Sequence, residues 1–352
     1  MVTVVAGEVC HGAILSAAEC GRSGAGTFGH MRYVQLDTPK PISKIGLGTW
    51  QFGSKEWGYG PDYERRAAEI VRRALDLGVT LFDTAELYGF GRSERILGAA
   101  LGDDRSKVVV ASKIFPLLPV APVVQQRAVA SAARLGVDGI DLYQVHQANP
   151  VVADTTTMRG MRSLQDVGLV GEVGVSNYGL RRWRFAEAAL GRRVLSNQVR
   201  YSMIDRGPEE DLIPYAEQAG RIVIAYSPLA QGFLSGRYDA TNPPAGAVRR
   251  ANPYFLPENL ERGTALIATL REVADAHDAT PSQIALAYVL RHPNVVAIPG
   301  ASGVEQMERN AAAAEIDLTD DEYAALVAAA HAFRPVTGVA AVPRMVRARL
   351  GR

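Results

Sequence analysis

Eight short apolar runs recur along the chain, each followed by an amphipathic stretch, and this alternation limits the available folds more than any other feature of the sequence. The runs are KIGLGT (44–49), VTLFDTA (79–85), VVVASK (108–113), IDLYQVH (140–146), GEVGVSN (171–177), VLSNQV (194–199), RIVIAYS (221–227) and NVVAIPG (294–300). Between them the periodicity is helical. It is clearest over residues 63–78, where Ala67, Ile70, Val71, Ala74 and Leu75 fall on one face and Arg65, Arg66, Glu69, Arg72, Arg73 and Asp76 point away from it. Gly78 is placed to stop that helix. Capping boxes mark two later starts, Thr280 with Gln283 behind Pro281, and Thr319 with Glu322.

Strands that alternate with helices imply right-handed βαβ units and a parallel sheet. Eight units with near-continuous apolar strands predict a closed α/β fold, the (β/α)8 or TIM barrel. An open doubly wound sheet would need GxGxxG after its first strand, and GLGTWQFG does not supply it. The interval after the seventh run is the longest. Its segment GRYDATNPPAGAVRRANPYFLPENLERG predicts a long loop at the catalytic face, leading into a helix from about residue 260 to 277. Ahead of the first run, RYVQLDTPKPISKIG reads as a hairpin that caps the opposite mouth.

The 352 residues are 47% hydrophobic and 21% charged with a net charge of +1, which suits a globular protein with no nucleic-acid or polyanionic partner. No run of eighteen apolar residues is present, so no membrane span is expected. Both cysteines, Cys10 and Cys20, precede the first run, which leaves neither a disulfide framework nor zinc spacing and makes a cytoplasmic location the expectation. Residues 1–30 read as a non-core extension, with a linker-like GRSGAGTFGH, no basic signal-peptide region, and Met31 as an alternative initiator. The barrel is expected over 31–335, and 336–352 form a basic tail, RMVRARLGR at its end, expected to be solvated. Nothing in the sequence fixes the oligomeric state.

In a parallel barrel the C-terminal ends of all strands converge on one rim. Here those ends carry Asp83 and Tyr88, Lys113, His146, Ser176 with Asn177, Gln198, Tyr226, and a glycine loop at Gly300. The set lacks a carboxylate pair, a cysteine nucleophile and a three-ligand metal group, which disfavours glycoside hydrolysis, thiol catalysis and a metal site. It suits proton donation. An ammonium about 4 Å from a phenol at an effective dielectric near 20 is worth roughly 4 kcal/mol, so Lys113 is expected to bring Tyr88 toward a working pKa. Asp83 would keep Lys113 charged, and His146 would orient or polarise a carbonyl. Taken singly, each residue has an ordinary structural explanation: Ser176 with Asn177 as a cap, and Ser302 in SGVE as a capping box with Glu305. Lys113 as a Schiff-base lysine is a further alternative.

In order and spacing, GLGTW, FDTAELYGFGRSERILGAAL, VVVASK, DLYQVHQ, GEVGVSNY, NQVRYS, AYSPLAQGFLSGRY and IPGASGVEQMERN resemble the aldo-keto reductases, from about residue 33 to 330. The resemblance implies a barrel with an N-terminal hairpin and a catalytic tetrad at Asp83, Tyr88, Lys113 and His146. It implies a nicotinamide cofactor, NADPH with NADH as the second choice. Gly48, Thr49, Trp50 and Asp83 would touch the cofactor, with Ser176, Asn177 and Gln198 on its carboxamide and Tyr226 stacked on its nicotinamide ring. Ser227, Leu229, Gln231 and Arg237, with Arg249, would follow the pyrophosphate, and Ser302, Gln306, Arg309 and Asn310 would take the adenosine end. The substrate, a small carbonyl compound, would meet Trp50, Trp57, Tyr88, Phe115 and His146. Relatives that choose NADPH commonly carry Lys or Arg after IPG, where this chain has Ala301, Ser302 and Gly303, and Arg309 is expected to supply the charge instead. A non-enzymatic nucleotide sensor on the same fold is the alternative function.

Overall fold

The computed structural model describes residues 31–53 and 62–349. The readings of residues 1–30 and the position of Trp57 lie outside the described residues. The chain opens with an antiparallel hairpin, β1 (Tyr33–Val34) and β2 (Ile42–Ser43). Eight parallel strands follow: β3 (Leu47–Gly48), β4 (Leu81–Asp83), β5 (Val109–Ile114), β6 (Ile140–Val145), β7 (Val170–Ser176), β8 (Val194–Arg200), β9 (Ile222–Tyr226) and β10 (Val295–Ala297). Each sits on one of the eight runs. Neighbours in sequence are neighbours in the sheet, as the right-handed crossover requires. The sheet closes through a parallel bridge between Ile45 and Ala297, with Gly46 N–H on Ala297 O at 2.8 Å and Ala297 N–H on Lys44 O at 2.9 Å. At this seam a Cβ on Gly48 would come 2.7 Å from Ile298 O, so only glycine lets the two strands approach.

The outer layer contains α1 (Trp50–Gly53), α2 (Tyr63–Asp76), α3 (Arg92–Leu101), α4 (Ala121–Leu135), α5 (Asp154–Asp166), α6 (Leu180–Leu190) and α7 (Leu212–Gln218). The long interval after β9 holds α8 (Ala247–Arg250), α9 (Pro257–Arg262), α10 (Thr264–Ala276) and α11 (Pro281–Leu290). The expected helix from about 260 is thus two helices, broken at Gly263. After β10 come α12 (Val304–Ala312), α13 (Asp320–Ala332) and α14 (Val342–Arg349). Helix α2 ends as its sequence predicts: Gly78 takes φ +77°, and Gly78 and Val79 N–H reach back to Leu75 and Ala74 carbonyls. Both capping boxes form, at Thr280 and Thr319. The tail is not wholly solvated, since Arg344 pairs with Glu258 at 2.7 Å.

Two apolar layers share the strands. Outward residues such as Phe82, Val110, Ile114, Val145, Val173 and Val175 meet the helices, whereas Leu81, Val109, Ala111, Leu142, Ile222, Ile224 and Val296 fill the barrel, with Val34 and Ile42 of the hairpin among them. Side chains alternate along a strand, so continuing the inward series by two residues reaches Asp83 on β4, Lys113 on β5, Gln144 on β6 and Tyr226 on β9. The interior is apolar at depth and polar at its C-terminal rim. No helix among the described residues is long and apolar enough to cross a membrane.

Candidate active site

Lys113 stands at the centre of the rim. Its ammonium has three N–H groups, and three acceptors surround it: Asp83 Oδ1 at 2.6 Å, Thr84 O at 2.7 Å and Tyr88 Oη at 3.3 Å. The lysine is 0% exposed and Asp83 2%. Burial works against the Lys113 charge, but Asp83, and after it Tyr88, outweigh burial, and the ammonium's pKa ends above its ordinary value. Asp83 is the largest contributor to that upward direction. Its second oxygen, Oδ2, accepts from Gln198 Nε2 at 2.7 Å and Gln144 Nε2 at 3.4 Å, and Gln144 Oε1 in turn accepts from Ser196 at 3.2 Å.

Tyr88 departs from the sequence expectation in one respect. Burial raises its phenol, Lys113 pulls it back without cancelling the rise, and the net direction is upward. The phenol is thus held protonated. Because its oxygen accepts from Lys113, its own proton is left to point elsewhere. His146 meets the Tyr88 ring edge-on, centroids 5.7 Å apart, and Phe115 also meets the imidazole edge-on, at 6.5 Å. Burial, then Lys113, pushes His146 down to about 3, so the imidazole is neutral at physiological pH. His146 Nδ1 is buried without a partner among the described residues.

The polar row continues around the rim. Ser176 Oγ donates to Gln198 O at 2.7 Å, Asn177 Nδ2 to Ser176 Oγ at 3.1 Å and to His146 O at 3.3 Å, and Tyr226 Oη to Asn177 Oδ1 at 3.0 Å. After β9 the backbone turns left-handed at Ser227, Ala230, Gln231 and Gly232, with φ of 52°, 48°, 58° and 99°. Three of these are not glycine, and such positions cost energy that clusters at functional loops. At the far end, Gln306 Oε1 accepts from both the backbone N–H and the hydroxyl of Ser302 at 2.9 Å, while Gln306 and Asn310 side chains donate to Gly300 O. The capping box expected of Ser302 with Glu305 does not form. Gly303 is the N-cap, and the Ser302 hydroxyl turns to Gln306 instead.

These groups line one cleft of about 660 Å³, within the range of small-molecule and cofactor sites. Gly48, Trp50, Asp83, Tyr88, His146, Ser176, Asn177, Gln198, Tyr226, Ser227, Leu229, Gln231, Arg237, Arg249, Ser302, Gln306, Arg309 and Asn310 all border it. Three predicted residues stand behind the lining, the fully buried Lys113 among them. Thr49 is 0% exposed and fixes the loop by donating to Asp83 O at 2.9 Å and meeting Ser93 Oγ at 2.8 Å; Phe115 backs His146. Sequence reasoning missed Gln51, which donates to Ala301 O at 3.0 Å and ties the first loop to the last, as well as Arg200 and the capped start of α11 at Thr280–Ser282. It also missed Glu86, which accepts from Phe115 N–H and from Arg127 and so locks the Tyr88 loop to the loop after β5.

Fold and site together define a class: a (β/α)8 barrel with a charge-backed phenol at the floor of a long cleft, whose wall offers an amide row, a strained loop with arginines, and a helix start. That donor set fits a dinucleotide, with amides for a carboxamide, an aromatic face, and cations and backbone N–H groups for phosphates. Residues 44–331 match the model of the Aldo/keto reductase family, and the chain belongs to that family of oxidoreductases. It is 57% identical over 323 residues to an "uncharacterized oxidoreductase" of Mycobacterium tuberculosis, covering 92% of this chain and 100% of that protein. It is 32% identical over 301 residues to methylglyoxal reductase of Escherichia coli, covering 84% of this chain and 93% of that one. The crystal structure of an aldo-keto reductase from Klebsiella pneumoniae in complex with NADPH matches with a TM-score of 0.71 at 30% identity, over 88% of this chain and 98% of that one.

Proposed function

We propose that the protein reduces an aldehyde or ketone to the alcohol with a nicotinamide dinucleotide as reductant, NADPH in preference to NADH, and that Tyr88 is the proton donor. The observation that carries this reading is the contact of Lys113 with Asp83 and Tyr88, 2.6 and 3.3 Å, at the floor of the cleft. When bound, the reduced nicotinamide supplies a hydride to the carbonyl carbon. The carbonyl oxygen then needs a proton, and the residues at the floor differ in their ability to give one. His146, with a pKa of about 3, is neutral and is no general acid at neutral pH. An orphaned buried N–H is the rarer state, which favours the proton on Nε2, free to donate a hydrogen bond. Tyr88 holds its proton in the resting state. As it gives that proton up, Lys113 faces the new phenolate; two unit charges 3.3 Å apart at an effective dielectric near 20 attract by roughly 5 kcal/mol, of which Asp83 cancels a part.

Ser176, Asn177 and the Gln198 side chain would hold the carboxamide, with the Gln198 Nε2 already committed to Asp83. Tyr226 would fix the face of the ring, beside Gly48 and Trp50. Ser227, Leu229, Gln231, Arg237 and Arg249 would take the pyrophosphate, and Ser302, Gln306, Asn310 and the exposed Arg309 the adenosine end with its 2′-phosphate. NADPH in the Klebsiella relative and the named activity of the Escherichia relative support this choice of cofactor and of small carbonyl substrates. Mixing the protein and NADPH with a series of simple aldehydes in a single-turnover experiment tests it: the expected result is loss of dihydronicotinamide absorbance. Tight NADPH binding with no oxidation by any aldehyde or ketone would favour the sensor reading instead.

A further inference from the structure

We propose that Arg200 reads a carboxylate on the carbonyl substrate. The inference rests on the reductase reading and deepens it by naming the class of substrate.

The charges of the cleft are unequal. Four arginines, Arg200, Arg237, Arg249 and Arg309, line it against one carboxylate, Asp83, which is already bound to Lys113. Three of the arginines sit where a dinucleotide's phosphates are expected, Arg237 on the loop after β9, Arg249 on α8 and Arg309 on α12, and Arg249 is further braced by Gln231 O at 3.1 Å. Arg200 stands apart from them. It is the last residue of β8, two beyond Gln198, and therefore on the same face of the strand and roughly 7 Å further up. Its register partner on β9 is Tyr226, whose hydroxyl is bonded to Asn177. The guanidinium lines the cleft, and its charge reaches the Tyr254 phenol of the long loop after β9.

It has no hydrogen bond or ion pair among the described residues. Asp205, on the loop that follows, is bonded to Tyr254 at 2.8 Å and Ser202 at 3.3 Å instead. An arginine presents a planar fork of donors that matches a carboxylate in a bidentate pair, a geometry lysine cannot copy. Lining the same cleft as Trp50, Tyr88 and His146, such a fork would select carbonyl compounds that end in an acid.

The test compares two substrates that differ only in that charge, 4-oxobutanoate and its methyl ester, in the wild type, Arg200→Gln and Arg200→Lys. The wild type is expected to favour the anion. In Arg200→Gln the ratio of kcat/KM for anion over ester should fall about 10- to 100-fold, carried by KM, with partial recovery in Arg200→Lys. An unchanged ratio, or a rise in the NADPH Kd by the same factor as the loss of activity, would overturn the proposal; the second result would assign Arg200 to the cofactor. Failure of the wild type to reduce either substrate while other simple aldehydes oxidise its NADPH would overturn this inference and leave the reductase reading standing; failure with every aldehyde and ketone would remove both.

Discussion

Lys113 and Lys44 are both buried, 0% and 5% exposed, at opposite ends of the same barrel. At the C-terminal mouth, Lys113 faces a carboxylate at 2.6 Å and its pKa is raised. At the N-terminal end, Lys44 donates to carbonyl oxygens, His292 O at 2.5 Å and Pro293 O at 3.2 Å, with no carboxylate partner among the described residues, and Arg32 lies near; burial first, then Arg32, lowers it to about 7. Burial alone discharges a lysine, and a carboxylate reverses the effect. Asp83 is the difference between an ammonium that is permanently charged beside a phenol and one that gives up its proton near neutrality. The proposed chemistry therefore sits at the end of the barrel where the strand series supplies an acid.

The largest effect should come from breaking the charged pair. Lys113→Met leaves Asp83 buried with only Gln198 and Gln144 as partners, so chemical denaturation should report a loss of about 3 to 5 kcal/mol, together with loss of turnover. A stability change under about 1 kcal/mol would show that Asp83 is not held as a charged group.

The other lysine should announce itself through pH. Below about 7, Lys44 is protonated in both folded and unfolded chains and its contribution does not vary. Between about 7 and 10.5 the unfolded chain holds a proton that the folded one lacks, so stability rises with pH. Relative to Lys44→Met, the wild type should gain about 2 kcal/mol between pH 7 and pH 9, with Arg32 and His292 as the neighbouring ionisable groups. A flat difference would mean that the two carbonyl acceptors keep Lys44 charged.

The exposed end of the cleft should show smaller and more selective effects. Arg309→Glu is expected to weaken NADPH binding by about 1 to 3 kcal/mol and to leave NADH nearly unchanged, read by fluorescence titration of both cofactors. Equal losses for the two would place Arg309 on the adenine side or confine it to shaping α12.

What the sequence made legible follows the same division. All eight strands were readable, because buried parallel strands are written as continuous apolar runs, and the four residues at the floor could be named because each ends a run or starts the loop after it. The direction of the Tyr88 shift was not readable. It depends on how deeply the phenol is packed, a sum over residues that Lys113 offsets only in part. Nor was the commitment of Gln198 to Asp83, a contact across 115 residues of chain. Ser302 shows the limit of local patterns: SGVE has the letters of a capping box, but the loop sets Gly303 at the cap and Gln306 within reach of the serine. Arg200 could have been found by counting two residues on from Gln198 along the strand.

Tyr88 is proposed to deliver the proton while the residues around it hold the cofactor. Tyr88→Phe removes the hydroxyl and keeps the ring that packs on His146 and Trp50. In single-turnover mixing with NADPH and a reactive aldehyde, the variant should bind NADPH with the wild-type Kd and oxidise it about 100- to 10,000-fold more slowly. Oxidation at the wild-type rate would contradict the assignment of Tyr88 as the acid.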